Sequence, residues 1–546
     1  MQLQLNPEHY YLANFLTALR WISSRYEDLL CTEGRRLVAD FSGLPLPSQA
    51  LMARLVMRKG PHFRLSALVY PEIGDIKAAA APLISNGWLS EHAPLSVEML
   101  LPLLRKHEAV TVFAALPALR GAKKRDMLAM VQPLYPDSRC FQGWCQNLDD
   151  RLYTLTVSHL CDELRLIFFG NLYQTWSEFV LADLGIFRYE QVPFSEASRG
   201  FTCRQDIEQY LHIHRCRERF EAGENIPGIL QALEGFSSAN VVNAGRHSKL
   251  LFRIAQQLER TGDHEAALEV YGRSDFSGAR HRRIRILEKQ QRFEDAYELA
   301  GLASQAPESD AEAQLVERAM HRIARKLEIG NGKAISRKKE NRVDLTLACT
   351  DAGGVEHLVR EYMHTDEAPV HYVENALINS LFGLLCWNAI FAPLPGAFFH
   401  PFHSAPADLH DPDFHLRRKN LFDACLAELQ SGAYRTTILH HFIAKQGIQS
   451  PFVFWGALSE ELLRQALDCL PPAHLDIWFR RLLVDIKANR TGMPDLIQFW
   501  PAEKRYRMIE VKGPGDRLQD NQRRWLALCA EHNMPVDVCY VRWAQA

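Results

Sequence analysis

The sequence contains no CxxC pair and no finger-like spacing of cysteine with histidine; its 12 cysteines are scattered, and only Cys140 and Cys145 fall close together. A disulfide framework or zinc ribbon is therefore excluded as the organising device, and reduced, mostly buried thiols are expected. Charge imbalance is missing too. With a net charge of −2, no global field draws nucleic acid to the chain, so any such surface must come from basic residues gathered on one side. Low-complexity and collagen-like stretches are absent, and 47% apolar with 23% charged residues suits an ordinary globular protein. The opening MQLQLNPEHYYLANF has no basic segment followed by an apolar run and cleavage site, so an intracellular placement is expected, cytoplasmic or nucleoid-associated, or nuclear in a eukaryote. One long uncharged run does exist, from Leu377 to Phe399. Asn379, Ser380 and Asn388 interrupt it and Pro393 and Pro395 break it, so a buried helix over about 375–391 is predicted rather than a membrane span.

A chain of 546 residues exceeds one hydrophobic core, which predicts three or four domains. Residues 1–90 carry helix-spaced apolar residues in YYLANFLTALRWI and ALMARLVMRKGPHFRLSALVY. The break at Arg58, Lys59 and Gly60 fits a winged-helix-like module as well as a plain helical domain. Residues 91–140 offer two short amphipathic helices, SVEMLLPLLRKHE and KKRDMLAMV, a pattern similar to a SAP-like DNA-binding motif or to a simple helical hairpin. Lys123 and Lys124 lie at the start of the second helix, where free N–H groups and the helix dipole favour a phosphate. Residues 141–365 read as almost wholly helical. LFRIAQQLERTGDHEAALEVY is echoed by RIRILEKQQRFEDAYELA, with Gly262, Ala267 and Tyr271 matched to Arg292, Ala296 and Ala300, as in degenerate tetratricopeptide repeats. The basic runs Arg280, Arg282, Arg283, Arg285 and Lys338, Lys339 are candidates for phosphate contact, as is Arg517 further on; a solvated helix face explains each run equally well.

The chemistry is concentrated in residues 366–546. Met493-Pro494-Asp495-Leu496-Ile497 and Tyr506-Arg507-Met508-Ile509-Glu510-Val511-Lys512 are strand-like runs flanking a polar connection, which predicts an antiparallel hairpin. Alternation puts Glu510 and Lys512 on one face and Val511 on the other, with Asp495 within reach across the ladder. Two carboxylates and an ammonium at one spot are costly unless a cation balances the acids. Mg²⁺ or Mn²⁺, with oxygen ligands from Asp495, Glu510 and the Val511 carbonyl, would do so, and Lys512 could orient water or offset charge on a phosphate. This points to metal-dependent phosphodiester hydrolysis. Exposed hairpins also carry Glu and Lys for solubility, and the short motif alone leaves that open.

The arrangement resembles the PD-(D/E)xK nuclease superfamily, and EVKGPGDRLQDNQRRWL is similar to its VRR-NUC branch. That resemblance places Gln522 on the first turn of the helix over the active site; Asp520 is a candidate N-cap for it. VENALINSLFGLLCWNAIF resembles the acid-bearing helix of the Fanconi-associated nuclease family, which implies Glu374 as a further metal-facing acid. SQALMARLVMRKGPHFR, the SAP-like segment and the helical repeats occur in the same order as in that family, in its bacterial form. The implied fold is mostly α: helical N-terminal, SAP-like and TPR-like regions, then an α/β restriction-endonuclease-like domain with a helical insertion around 395–480. The implied activity is cutting branched DNA carrying a 5′ flap and digesting 5′ to 3′, in interstrand-crosslink repair, by a monomer. No Cys/His finger precedes residue 50, so recruitment through ubiquitin is not implied. A Holliday-junction resolvase or restriction-like endonuclease on the same hairpin, or a non-catalytic repair scaffold, are the alternatives. His400, His403, Asp408, His410, Asp411, Asp413 and His415 could be read as a separate metal site, but their spacing fits no recurring motif and a loop is expected.

Overall fold

The computed structural model describes residues 9–176, 187–329, 341–348 and 353–544. The chain divides into two compact units, the first of residues 1–186 with 201–207 and the second of residues 187–200 with 208–546.

In the first unit, helices Tyr10–Tyr26, Thr32–Phe41, Leu46–Val56 and Ile76–Ser85 pack around Tyr11, Phe15, Leu51 and Leu83. Pro47 opens the third of these helices, and Asp75 caps the fourth by accepting from the N–H groups of Lys77 and Ala78. Gly60, at φ +78°, turns the chain into a small antiparallel sheet of β1 (His62–Arg64), β2 (Leu89–Ser90) and β3 (Leu152–Leu155) in the order β1-β3-β2. The first 90 residues thus add two short strands to their helices, and the strand that joins them, β3, comes from beyond that span. The first SAP-like helix is corrected by the structure. It breaks into Val97–Leu103 and Lys106–Val112, because Leu104 turns extended and Arg105 N donates to Glu108 Oε2 at 2.7 Å at the start of a new helix. Arg64 fixes this corner by binding Glu108 at 2.6 Å and Asp150 at 2.7 Å. The second helix, Lys124–Val131, lies where expected.

The second unit begins with helical hairpins, among them Val241–Thr261 with His264–Gly272 and Ala279–Lys289 with Phe293–Gln305, followed by Asp310–Lys326. The repeat keeps the expected matches of Ala267 with Ala296 and Tyr271 with Ala300, and only the third is one residue off. Gly262 at φ +89° corresponds to Gln291 at φ +62°, not to Arg292, since Asp263 N donates to Leu258 O as Arg292 N donates to Leu287 O. Both are left-handed helix ends, one of them without the glycine that marks it in sequence.

A five-stranded mixed sheet follows: β4 (Arg342–Leu347), β5 (Val370–Tyr372), β6 (Leu496–Trp500), β7 (Arg505–Lys512) and β8 (Val536–Trp543), ordered β4-β8-β7-β6-β5. β4, β8 and β7 run parallel, and β6 and β5 pair antiparallel. Because β4 pairs with β8, and helix Val355–Met363 packs on the same sheet, this domain starts before the expected boundary at 366. Between β5 and β6 lies the insertion, whose helices close on a core of Phe382, Trp387, Phe422, Phe452, Trp478 and Phe479. The uncharged run is buried as predicted but in two pieces, Leu377–Leu385 and Trp387–Ile390, broken at Cys386. No helix among the described residues is long and apolar enough to cross a membrane.

The histidine- and aspartate-rich loop is structural. His400 and His403 sit with ring centroids 4.1 Å apart, and Asp408 is taken up by Arg417 and by a two-pronged contact with Arg418, whose side chain is 0% exposed. Asp408→Ala strands that guanidinium in the interior, so a loss of about 3–5 kcal/mol is expected in urea unfolding. A loss below about 1 kcal/mol would mean that Arg418 has other support.

Candidate nuclease site

The turn of the predicted hairpin is a short 3₁₀ stretch, Pro501–Glu503, closed by Lys504 in the left-handed region. Register then fixes the chemistry. Leu496 stands opposite Ile509, so the preceding residue, Asp495, stands opposite Glu510. The Val511 N–H donates to Asp495 Oδ2 at 2.8 Å. Glu510 and Lys512 share a face beneath helix Asp520–Glu531, whose Leu526 packs on Val538. Val511 joins Leu496, Ile509 and Val359 in the core on the opposite face.

Asp495, Glu510 and Lys512 are only 6%, 0% and 7% exposed. Lys512 Nζ stands 2.7 Å from Glu510 Oε1, and the other buried carboxylate oxygen, Oε2, has no hydrogen-bond partner. Burial above all, and then the charge of Asp495, pushes the Glu510 carboxyl up to about 8 against the opposing pull of Lys512. Asp495 is raised to about 6 by burial, helped by the charges of Glu374 and Glu356 and resisted by the Val511 N–H. Two buried acids facing each other, one of them with an oxygen that no donor reaches, suit a hard cation, and the donor set fits one. Among the described residues no three His, Cys, Asp or Glu side chains are drawn tightly enough to cage an ion, so the third acid must be located separately.

That acid, Glu374, lies at the rim. Val373 N donates to Asp495 O at 2.8 Å, which ties the segment after β5 to the strand carrying Asp495. Asn375, at φ +50°, accepts from Met493 N through Oδ1, and Asn379 Nδ2 donates to Asn375 O at 2.7 Å. Glu374 is thus held beside the acid pair, and its charge acts on both Asp495 and Glu510, but its carboxylate is exposed and receives the Tyr372 hydroxyl. Gln522 occupies the first turn of its helix, as expected. Its side chain accepts from Gln519 N at 2.8 Å. The N-cap is therefore Gln519 rather than Asp520, which instead takes a two-pronged contact from Arg318 at 2.7 Å on the helix Asp310–Lys326.

The candidate phosphate contacts separate into groups. Lys123, Lys124, Arg285 and Arg517 are exposed. Arg280 is neutralised by Glu312, with contacts of 3.0 and 2.6 Å, Arg282 lies 3.4 Å from Glu259, and Arg283 is half-buried. Lys338 and Lys339 lie outside the described residues. Two features escaped the sequence reading. Glu356, on the first turn of Val355–Met363, adds a carboxylate to the field at Asp495. Lys249 is lowered by burial and then by Lys487, Arg246, Arg253 and Arg217, a basic patch. The spacing of Arg246, Lys249 and Arg253 along one helix face was its available signal.

An acid raised on folding destabilises the fold once it ionises. In metal-free protein, the stability linked to Glu510 is therefore full below its ordinary value of 4.5 and is lost as pH rises through about 8. Glu510→Gln should remove that decline and exceed the wild type in unfolding free energy at alkaline pH by about 2–4 kcal/mol. A variant less stable than wild type across the whole pH range would contradict the assignment.

Residues 429–543 match the VRR-NUC domain, residues 9–90 the FAN1 HTH domain and residues 94–144 the Fanconi anemia-associated nuclease SAP domain. The chain is 52% identical over 535 residues to the Fanconi-associated nuclease 1 homolog of Pseudomonas aeruginosa, spanning 98% of this chain and 96% of that protein. The Arabidopsis thaliana homolog is 24% identical over 609 residues, 99% of this chain and 68% of that one. The crystal structure of paFAN1 bound to 2nt 5′flap DNA with gap superposes at a TM-score of 0.90 with 52% identity, covering 99% of this chain and 100% of that one. A second structure, bound to 1nt 5′flap DNA with gap, gives 0.89 with the same coverage. Domain order, sheet and hairpin agree with these matches, and the chain belongs to the Fanconi-associated nuclease family.

Proposed function

We propose that this protein is a structure-selective DNA nuclease that hydrolyses phosphodiester bonds near the junction of 5′-flap DNA with the help of Mg²⁺ or Mn²⁺. The observation that carries the chemistry is the buried Asp495–Glu510 pair beside Lys512, with Glu510 Oε2 lacking a donor. The choice of substrate is supported by the 52% identical relative, whose structures hold 5′-flap DNA. Asp495, Glu510 and the Val511 carbonyl would hold the cation, with Glu374 at its rim. When bound, it offsets the acids and polarises a phosphate oxygen. Lys512, almost fully buried beside Glu510, stands where the phosphate gains negative charge during attack, and it orients a water next to Glu510. The DNA backbone is held by the patch of Lys249, Arg246 and Lys487 and by the exposed Arg285 and Arg517, rather than by Arg253, Arg280 and Arg282, which are already paired with acids. Flap endonuclease and 5′ to 3′ exonuclease activity, a role in interstrand-crosslink repair and action as a monomer complete the proposal.

Lys512→Ala should lower cutting of a labelled 5′-flap duplex in Mn²⁺ by about 100-fold or more while leaving DNA binding intact. Undiminished cutting would discard this site, and equal cutting of four-way and flap substrates would favour the resolvase reading. Replacing Lys249 and Lys487 together by alanine should lessen the dependence of log affinity on log salt by about 2, one unit for each phosphate contact. An unchanged slope would return both residues to solvent-facing roles.

A further inference from the structure

The Tyr372 hydroxyl donates to Glu374 Oε2, and Asn375 Nδ2 donates to the other carboxylate oxygen at 3.2 Å. Tyr372 ends β5 and stands opposite Leu496, the residue after Asp495. The ring is 49% exposed, so it adds little to the core, unlike the buried Val370 on the same strand. Its hydroxyl, however, lies in the field of three acids: Glu374, whose hydrogen bond is the largest influence, then Asp495 and Glu356. An exposed glutamate on a connecting segment ordinarily wanders among rotamers, which costs entropy each time it must be brought to a ligand. Here the carboxylate is pinned from both oxygens, by a neighbour in sequence and by a tyrosine anchored in the sheet edge.

We propose that Tyr372 is a positioning residue: its hydroxyl holds the Glu374 carboxylate at the rim of the Asp495–Glu510 pair, in place to act on a cation bound there. The inference rests on the cation-assisted nuclease reading above. A neutral donor suits this role, since a lysine or arginine there would neutralise Glu374 and compete with the cation, whereas a phenol orients the acid and leaves its charge available.

Tyr372→Phe removes the hydroxyl and keeps the ring. Mn²⁺ affinity, measured by calorimetry without DNA, should fall about 10-fold, and kcat on a 5′-flap duplex should fall with it while KM for DNA and the melting temperature stay unchanged. In a Glu374→Gln background the same substitution should have no further effect on Mn²⁺ affinity, because the group it positions is gone. Unchanged Mn²⁺ affinity in Tyr372→Phe overturns the proposal, as does a loss that persists in the Glu374→Gln background. A rise in KM alone, made larger by Tyr372→Ala, also overturns it by assigning the ring to DNA contact. Failure of the underlying reading is separable: it would show as Mn²⁺ affinity unaltered by Asp495→Ala, whatever Tyr372 does.

Discussion

Two carboxylates are buried against each other on a β-hairpin with one ammonium group to offset them, and the rest of the second unit is arranged to keep them there. Burying two acids together in a medium that excludes water is costly, so the arrangement persists only because other contacts over-determine it. The ladder between β6 and β7 fixes the register, and the Val511 N–H holds one Asp495 oxygen. The helix Asp520–Glu531 closes the face above. That helix is itself anchored, by Trp525 Nε1 donating to Asn489 O and by Arg318 and Gln314 of the last repeat helix, which contact Asp520 and Arg524. The helical repeat therefore acts on the site as a brace, through the element that covers it.

Comparison with another strongly buried acid in this unit shows what is unusual at the hairpin. Asp408 is as buried as Asp495 and Glu510, yet guanidinium groups from Arg417 and Arg418 satisfy both its oxygens. Its environment is complete, and its chemistry is that of a structural tether. Glu510 has the same burial with a single ammonium on Oε1 and no donor on Oε2. Nothing in protein folding rewards such a deficit, which is why it marks a place where a ligand of positive charge belongs.

The hairpin, the covering helix and the final strand were legible because each depends on local alternation or helical spacing: Glu510 and Lys512 two apart, Trp525 and Cys529 four apart. The edge of the sheet was not. β4 lies far from its parallel partner β8 in sequence, and its residues alternate between exposed and half-buried, leaving only a weak apolar signal. Missing β4 carried Glu356 with it, since the helix after that strand looked like one more turn of the repeats. Charge composition misled in the same way at Arg280 and Arg282, whose partners Glu312 and Glu259 come from neighbouring helices of the stack. Residue type announced an acid at Glu374, but its attachment to Tyr372 depends on how a strand end and a connecting segment meet in space.

We propose that a divalent cation takes the place of a proton on Glu510, whose carboxyl burial and the charge of Asp495 raise. Calorimetric titration of Mn²⁺ near pH 7 in two buffers of different ionisation enthalpy measures that exchange directly. The account predicts release of about one proton per ion bound, falling toward zero in Glu510→Gln. Binding with no proton release in the wild-type protein would contradict it.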